Sequence, residues 1–155
     1  MPKTDYLNDP RAPKANSLVV AVTVFVQDDV GRVLLIRRSD NRLWALPGGA
    51  QDLGESTAQA ARREVEEETG LHVELTGVSG IYSDPGHVIA YDDGEVRQEL
   101  AICLRARPIG GALRTSDESS EVKWVEPETI EELPIHPSML LRIRHGLKDD
   151  TPYLG

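Results

Sequence analysis

The sequence contains almost no cysteine, and Cys103 is the single thiol among 155 residues. One cysteine excludes an intramolecular disulfide framework and a cysteine-rich zinc site. Long apolar runs are also missing, because the stretch at 18–26 is too short to span a bilayer and carries no signal-peptide pattern. Basic charge is in deficit, with 17 Lys and Arg against 26 Asp and Glu and a net charge of −9. We therefore expect a cytoplasmic protein without a nucleic-acid or membrane partner.

The chain does hold enough apolar sequence for one folded domain, and its acids are concentrated in two segments. Apolar residues make up 39% and charged residues 28% of a length that suits a single domain. Residues 49–71 contain six acids and two bases, and residues 117–132 contain seven acids and one base. These two segments together hold more negative charge than the whole chain. They are either solvated surfaces or parts of a functional site.

The pattern of the sequence predicts one sheet covered by a few helices. The clearest element is a helix at 56–69, because Ser56 and Gln59 form a capping box and Gly70 follows as the C-terminal glycine. Val-rich stretches predict a hairpin of strands at 18–26 and 33–36. We read 1–16 as an irregular lead-in and 83–95 as a polar loop. Further strands are predicted at 73–82, 96–107 and 122–125, and further helices at 127–133 and 138–147.

Three glutamates of the predicted helix share one face. Glu64, Glu67 and Glu68 stand at i, i+3 and i+4, beside the apolar stripe. An acidic solvated helix surface is the simpler interpretation. However, like charges at this spacing repel one another, and a divalent cation removes that conflict. Carboxylate oxygens are the ligands that Mg²⁺ prefers, so this face is a candidate magnesium site for a phosphate-bearing substrate.

The residues around this face resemble a complete Nudix hydrolase box. Gly49 is followed after five residues by Glu55, and after seven more by Arg63-Glu64-Val65, one residue, Glu67-Glu68, one residue and Gly70-Leu71. At residue frequencies near ~7%, chance agreement at the seven identities is on the order of 10⁻⁸ per start position. The match covers 49–71 without a departure.

The resemblance implies an α/β (α+β) Nudix fold, an α/β/α sandwich around a mixed sheet. We expect an N-terminal arm at 1–16, the Nudix hydrolase domain at 17–147 and a C-terminal tail at 148–155. The implied metal ligands are Glu64, Glu67, Glu68 and the Gly49 carbonyl, with Mg²⁺ as the cofactor and Mn²⁺ as the alternative. Arg63 would orient the carboxylates, and Glu55 would be structural. Oligomeric state stays open, although homodimers are common among similar proteins.

The implied reaction is hydrolysis of a pyrophosphate bond in a nucleoside diphosphate linked to another moiety. We favour an ADP-ribose-like or nucleotide-sugar-like substrate. The alternatives are a nucleoside triphosphate pyrophosphohydrolase, including one for oxidised nucleotides, and a non-catalytic nucleotide-binding regulator. The intact glutamates argue against the regulator.

Residues outside the box complete the predicted site. The resemblance implies that the general base is a glutamate of the box, such as Glu64, or a later one. The later candidates are Glu118 and Glu121 in the second acidic segment and Glu99 on the preceding strand, and we favour Glu118. Arg37 is a candidate phosphate contact, because strand alternation turns only one of Arg37 and Arg38 inward. Arg97 and Glu99 are predicted to line the pocket from one strand face. The four histidines show no metal or triad spacing, so no catalytic role is assigned to them.

Overall fold

The computed structural model describes residues 3–148 and 151–155, which form two sheets, two α-helices and one 3₁₀ helix. The strands are β1 Lys3–Leu7, β2 Ser17–Val26, β3 Val33–Arg38, β4 Trp44–Ala45, β5 Gly48–Ala50, β6 Leu71–Tyr82, β7 His87–Tyr91, β8 Val96–Gly111, β9 Ser119–Val125 and β10 Tyr153–Leu154. The helices are α1 Thr57–Thr69, the 3₁₀ helix Pro127–Glu132 and α2 Pro137–Lys148.

The larger sheet is mixed. Its main path runs β1-β7-β8-β2-β5, and β6 pairs with both β8 and β10. The long pair β2 and β8 is parallel over ten residues, from Ser17 opposite Arg97 to Val26 opposite Ala106. The smaller sheet has the order β4-β3-β9 and is antiparallel throughout. The catalytic candidates on β5, β8 and α1 are therefore brought together around the central strand β2.

Two apolar cores lie on opposite faces of the sheets because the strand side chains alternate. Val22, Val24 and Val26 of β2 pack with Ala61 and Val65 of α1. Phe25, between two of those valines, belongs to the other core, which also contains Ile143 of α2. A helix thus covers each face, and the predicted sandwich of helices around a mixed sheet is confirmed.

Helix α1 begins and ends where its sequence predicts. Ser56 accepts a hydrogen bond from the Gln59 backbone N–H, and the Gln59 side chain accepts one from the Ser56 N–H. Gly70 ends the helix at φ 82°, in the left-handed region that favours glycine, and its N–H donates to the Glu66 carbonyl. These local contacts fix where α1 presents its glutamates.

The predicted hairpin of the second and third strands is wrong. β2 and β3 lie in different sheets and share only an isolated bridge between Gln27 and Val33. β2 pairs instead with β8 along its full length, and β3 pairs with β9. The two edges of β2 are occupied by β8 and β5, and the two edges of β3 by β4 and β9, so neither strand has an edge left for the hairpin.

Two stretches read as irregular contain strands. Lys3–Leu7 of the lead-in pairs antiparallel with His87–Tyr91, which lies inside the predicted polar loop. Polar and proline residues surround both strands, so the composition of these segments does not indicate a strand. In addition, the predicted helix at 127–133 is a 3₁₀ helix, and Tyr153 and Leu154 of the predicted tail pair with β6.

Parts of the predicted arm and tail, Met1, Pro2, Asp149 and Asp150, lie outside the described residues. Within the described residues, neither α1 nor α2 is long and apolar enough to cross a membrane.

Candidate active site

Two glycines of β5 allow the glutamates of α1 to approach the sheet. The Gly48 N–H donates a hydrogen bond of 2.7 Å to Glu68 Oε1. A Cβ atom on Gly49 would stand 2.6 Å from Glu64 Oε1, closer than side chains tolerate. A Cβ atom on Gly48 would stand 2.2 Å from the Val22 carbonyl oxygen. Glycine at position 48 therefore follows from the close approach of β2, and glycine at position 49 from the close approach of the Glu64 carboxylate.

Arg63 holds the carboxylates of this region in fixed positions. Its Nε and Nη2 donate to the two oxygens of Glu55 at 2.6 and 2.9 Å, a bidentate pair. Its Nη1 donates to Glu64 at 2.9 Å and to Glu67 at 3.2 Å. The bond to Glu55 is the chief reason that the pKa of Arg63 is raised. This arginine thus joins the loop before α1 to the glutamates on the helix.

Glu64 and Glu68 come together with Glu118 at one point. One carboxylate oxygen from each lies within 4.8 Å of the others. Glu64 and Glu68 are buried, with relative exposures of 7% and 2%, whereas Glu118 is exposed. The arrangement unites the two acidic segments of the sequence in one place, with two buried carboxylates and one accessible carboxylate.

The loop that carries Glu118 is attached to α1 by its neighbour. Ser119 is fully buried, and its hydroxyl donates a 2.7 Å hydrogen bond to the Glu68 carbonyl. The Glu118 carbonyl in turn accepts from the Ser39 N–H at 3.0 Å. These two hydrogen bonds fix the position of the loop. The Glu118 carboxylate therefore extends towards the other two carboxylates from a backbone that is held in place.

Burial makes the charged forms of the two helix glutamates costly. Desolvation raises the pKa of Glu68 to about 8, against the hydrogen bond from Gly48, which lowers it. Desolvation also raises the pKa of Glu64, although Arg63 opposes this effect. Two buried carboxylates with raised pKa values beside a third acid form a site that a cation stabilises.

The donor set fits a hard divalent cation. Glu64, Glu68 and Glu118 offer only carboxylate oxygens, which Mg²⁺ prefers, and the exposed side of the cluster leaves room for water or phosphate oxygens. Arg63 neutralises only one edge, through Glu64 and Glu67. The side chains present could therefore hold such an ion.

Glu67, predicted as a third helix ligand, is not part of this group. Its side chain is 59% exposed and contacts Arg63. Glu67 lies on the same face of α1 as Glu64. However, the sheet and the loop of Glu118 approach the edge of that face that carries Glu64 and Glu68, and Glu67 lies on the opposite edge. The structure thus gathers two of the three box glutamates with Glu118.

A cavity of about 230 Å³ opens beside the carboxylates. Gly48, Gly49 and Glu118 form one part of its wall, and side chains of β1, β7 and β8 form another. Alternate residues of β7 face it, namely His87, Ile89 and Tyr91. The cavity therefore extends from the acidic cluster to the edge of the mixed sheet.

Two of the three predicted substrate contacts line this cavity. Arg97 and Glu99 are both in its wall, and Arg97 pairs with Glu95 at 2.9 Å and lies over the Tyr91 ring at 4.7 Å. Arg37 is not in the wall, since its side chain lies 3.8 Å from Glu121 on β9. Arg38, on the opposite face of β3, lines the cavity instead. Alternation along β3 turns only one of the two arginines towards the cavity, and the sequence does not determine which one.

A second cluster of ionisable side chains, which the sequence does not indicate, lies in the same cavity. Asp5, His87 and His136 each place one side-chain donor atom within 4.8 Å of the others, and His87 Nε2 lies 2.5 Å from Asp5 Oδ1. Desolvation lowers the pKa of His136. These residues are far apart in sequence, so spacing gives no signal. Alternation along β1 and β7 could have located two of them, had those strands been recognised.

A second cavity of about 300 Å³ adjoins the first. The two share His87, Glu99, Ser138 and Arg142 as wall residues. The far side of the second cavity includes Tyr82 and Ser83. A ligand with two large groups could therefore occupy both cavities at once.

The fold and this acidic site are those of a metal-assisted hydrolase. The family model described as NUDIX domain matches residues 17–143, and the chain belongs to that family of pyrophosphohydrolases.

Individual relatives agree on the family and differ in their names. A MutT-like protein of Streptomyces ambofaciens is 38% identical over 82% of this chain and 77% of its own length. A putative 8-oxo-dGTP diphosphatase of Bacillus subtilis is 35% identical over 67% of this chain and 64% of its own length. An ADP-ribose pyrophosphatase of Methanocaldococcus jannaschii is 30% identical over 79% and 70%.

A solved structure shows the same fold. The ADP-ribose pyrophosphatase of Streptococcus suis superposes with a TM-score of 0.70 at 19% identity, over 88% of this chain and 98% of that one. Nucleotide-like substrates and divalent metal ions are general in this family.

Proposed function

We propose that this protein is a Mg²⁺-dependent hydrolase of the pyrophosphate bond in a nucleoside diphosphate linked to another moiety. The convergence of Glu64, Glu68 and Glu118 beside a cavity supports this proposal most directly. A second cavity adjoins the first and shares four wall residues with it, which favours a substrate with groups on both sides of the diphosphate. The name of the Methanocaldococcus relative agrees with such a substrate.

Glu64 and Glu68 are the proposed principal metal ligands, with Gly49 and Glu67 as the remaining candidates from the box. A bound Mg²⁺ would neutralise phosphate oxygens and acidify water. Arg63 keeps the carboxylates oriented by its hydrogen bonds to Glu55 and Glu64. Mn²⁺ is the alternative ion.

The proposed general base is Glu118. Its carboxylate is the exposed member of the cluster, so it can meet a water molecule and accept a proton from it. Arg38, Arg97 and Glu99 line the cavity and are the proposed substrate contacts, whereas Arg37 stays a prediction from sequence.

A nucleoside triphosphate is the second candidate substrate. The Bacillus subtilis relative, named a putative 8-oxo-dGTP diphosphatase, favours it. In such a substrate, the group on the far side of the scissile bond from the nucleoside is pyrophosphate, so no second organic group would need a cavity. We also propose cytoplasmic location and retain the homodimer as a prediction.

An assay in ¹⁸O-labelled water tests the proposal. The protein is incubated with Mg²⁺ and, in turn, with ADP-ribose, UDP-glucose, dGTP and 8-oxo-dGTP, and the products are followed by phosphorus NMR. We expect two phosphomonoesters from a diphosphate-linked substrate, one of which carries ¹⁸O. Release of pyrophosphate from the triphosphates alone would favour the second candidate.

A matched pair of variants ties turnover to the acidic cluster. Glu64→Gln should lower kcat by at least about 100-fold, as expected when an oriented metal ligand is removed. Glu66→Gln is the control, because Glu66 is exposed on the same helix and lies 3.8 Å from His72. Equal activity of the two variants would refute the assignment of the cluster.

A further inference from the structure

Arg142 is a buried cation without an anionic partner among the residues that the structure describes. Its relative exposure is 8%, and its Nε makes no hydrogen bond. Among residues 3–148 and 151–155, no carboxylate oxygen forms an ion pair with it within 4.0 Å. Buried charges in proteins are ordinarily paired, because removing a charge from water is costly. Arg142 therefore carries a charge that the described structure leaves uncompensated.

The acids around Arg142 are too distant or already engaged. The charges of Asp5 and Glu99 favour the protonated form of Arg142, but neither carboxylate lies within ion-pair distance of it. Asp5 is hydrogen-bonded to His87 instead. The Arg142 guanidinium lies over the Tyr82 ring at 5.1 Å, which compensates part of the charge but provides no acceptor for its N–H groups. Burial lowers the pKa of Arg142, in agreement with an unfavourable charge at this position.

Arg142 stands at the boundary of the two cavities. It is a wall residue of both, together with His87, Glu99 and Ser138. The first cavity, about 230 Å³, is smaller than the 300–1,000 Å³ typical of sites for drug-sized ligands, and the second, about 300 Å³, is at the lower end. A diphosphate with organic groups at both ends needs both cavities.

We propose that the second cavity receives the moiety linked to the nucleoside diphosphate, and that this moiety carries an anionic group that pairs with Arg142. This inference rests on the proposed function. The planar guanidinium suits a phosphate or a carboxylate, since both accept two parallel N–H bonds. Asp84 and Glu99 also line the second cavity and would repel further negative charge, and its other arginine, Arg144, is already paired with Glu131, so a single anionic group fits this wall.

Binding measured without turnover tests the proposal. Calorimetry in EDTA compares UDP-glucose with UDP-glucuronate, a pair that differs by one carboxylate. A second pair is ADP-ribose and its derivative with a phosphate on the terminal ribose. We expect the anionic member of at least one pair to bind at least 10-fold more tightly. The two pairs distinguish a carboxylate from a phosphate ligand.

Variants assign the preference to Arg142. Arg142→Met, of similar length and uncharged, should reduce the preference to within 2-fold without lowering Tm, because the charge it removes has no internal partner. Arg142→Lys should retain part of the preference, since the charge remains without the planar fork. The control is Arg107→Met, because Arg107 is exposed, pairs with Glu74 and lines neither cavity. It should keep the full preference.

Several outcomes would overturn the inference. These are equal affinity within both pairs, no binding of any of the four compounds, or a preference that persists in both Arg142 variants. A fall in Tm for Arg142→Met together with an unchanged preference would show that the arginine has a structural role. A preference that depends on Arg142, without hydrolysis of any of the four in Mg²⁺, would contradict the proposed function while retaining the anion contact at Arg142.

Discussion

At the scale of single residues, the site divides its acids by exposure. Glu64 and Glu68 are buried against β5, while Glu118 is exposed. Buried carboxylates are held in place and suit metal binding, whereas an accessible carboxylate can exchange protons with water. Different consequences are therefore expected when a buried and an exposed member of the same cluster are neutralised.

Neutralising Glu118 should affect chemistry more than metal binding. We expect Glu118→Gln to lower kcat by 10²–10⁴-fold, the usual contribution of a general base, with metal affinity within about 3-fold of the parent. Steady-state kinetics and Mn²⁺ titration followed by electron paramagnetic resonance measure the two effects. Activity within a few-fold of the parent would remove Glu118 from the mechanism.

The raised pKa of Glu68 predicts a pH-dependent stability of the metal-free protein. The pKa is about 8 in the fold and near 4.5 in an exposed carboxyl, so the folded state binds this proton more tightly. The resulting stabilisation is full below about pH 4.5 and is lost as the pH rises towards 8. In EDTA, the Tm of the protein relative to Glu68→Gln should therefore fall between about pH 5 and pH 8.

Added Mg²⁺ should reverse that fall, because the cation stabilises the deprotonated carboxylate. Circular dichroism melts at each pH, with and without the ion, provide the comparison. A Tm difference that stays constant with pH in EDTA would contradict the raised pKa of Glu68.

At the scale of helices and strands, contacts between residues close in sequence can be predicted, whereas the pairing of distant strands cannot. The bounds of α1 follow from contacts within four residues, such as the Ser56 and Gln59 capping box, and are predictable from sequence. The partners of β2 are not, because an apolar strand can pair with any of several others. β1 is hidden because its partner β7 lies about 80 residues away, and β7 is hidden by the polar residues around it although it also pairs with the adjacent β8.

The same division holds within the site. The box glutamates are predictable because one helix carries them, and Glu118 is predictable because its segment is acidic. Asp5, His136 and Arg142 join the cavities only through the packing of β1 and α2. No local spacing relates them, so the sequence alone could not assign them to a site.

The capping box of α1 should contribute to stability without contributing to chemistry. Ser56→Ala removes the acceptor of the Gln59 N–H bond and should lower the free energy of unfolding by about 1 kcal/mol, or Tm by about 2–4 °C. The control is Ser120→Ala, whose exposed hydroxyl makes only a 3.3 Å contact with the Arg37 carbonyl. Equal Tm values for the two variants in thermal melts would contradict the prediction. The kcat of Ser56→Ala, measured well below its Tm, should equal that of the parent.

At the scale of the whole molecule, the charge of −9 opposes an anionic substrate until cations are bound. Repulsion between exposed charges is screened by salt, with a Debye length of about 10 Å at 0.1 M. In EDTA, the affinity for UDP-glucose should therefore increase between about 0.02 and 0.2 M KCl. In Mg²⁺ the increase should be smaller, because the ion neutralises the acidic cluster.

Calorimetry at constant pH measures both series. Both series use Glu118→Gln, which is expected to keep the metal affinity and to consume the nucleotide slowly. Affinity that decreases with salt in EDTA would show that local cations, such as Lys3 and Arg38 in the cavity wall, outweigh the net charge.

The hydrogen bond from Ser119 to the Glu68 carbonyl bears on how this fold can diversify. It sets the separation of Glu118 from the helix carboxylates through a contact that involves no side chain of the cavity wall. The strands and turns of that wall can therefore change, and with them the shape of the cavity, while the spacing of the three carboxylates is preserved. Such independence gives a physical reason why one family includes proteins named for ADP-ribose and for 8-oxo-dGTP.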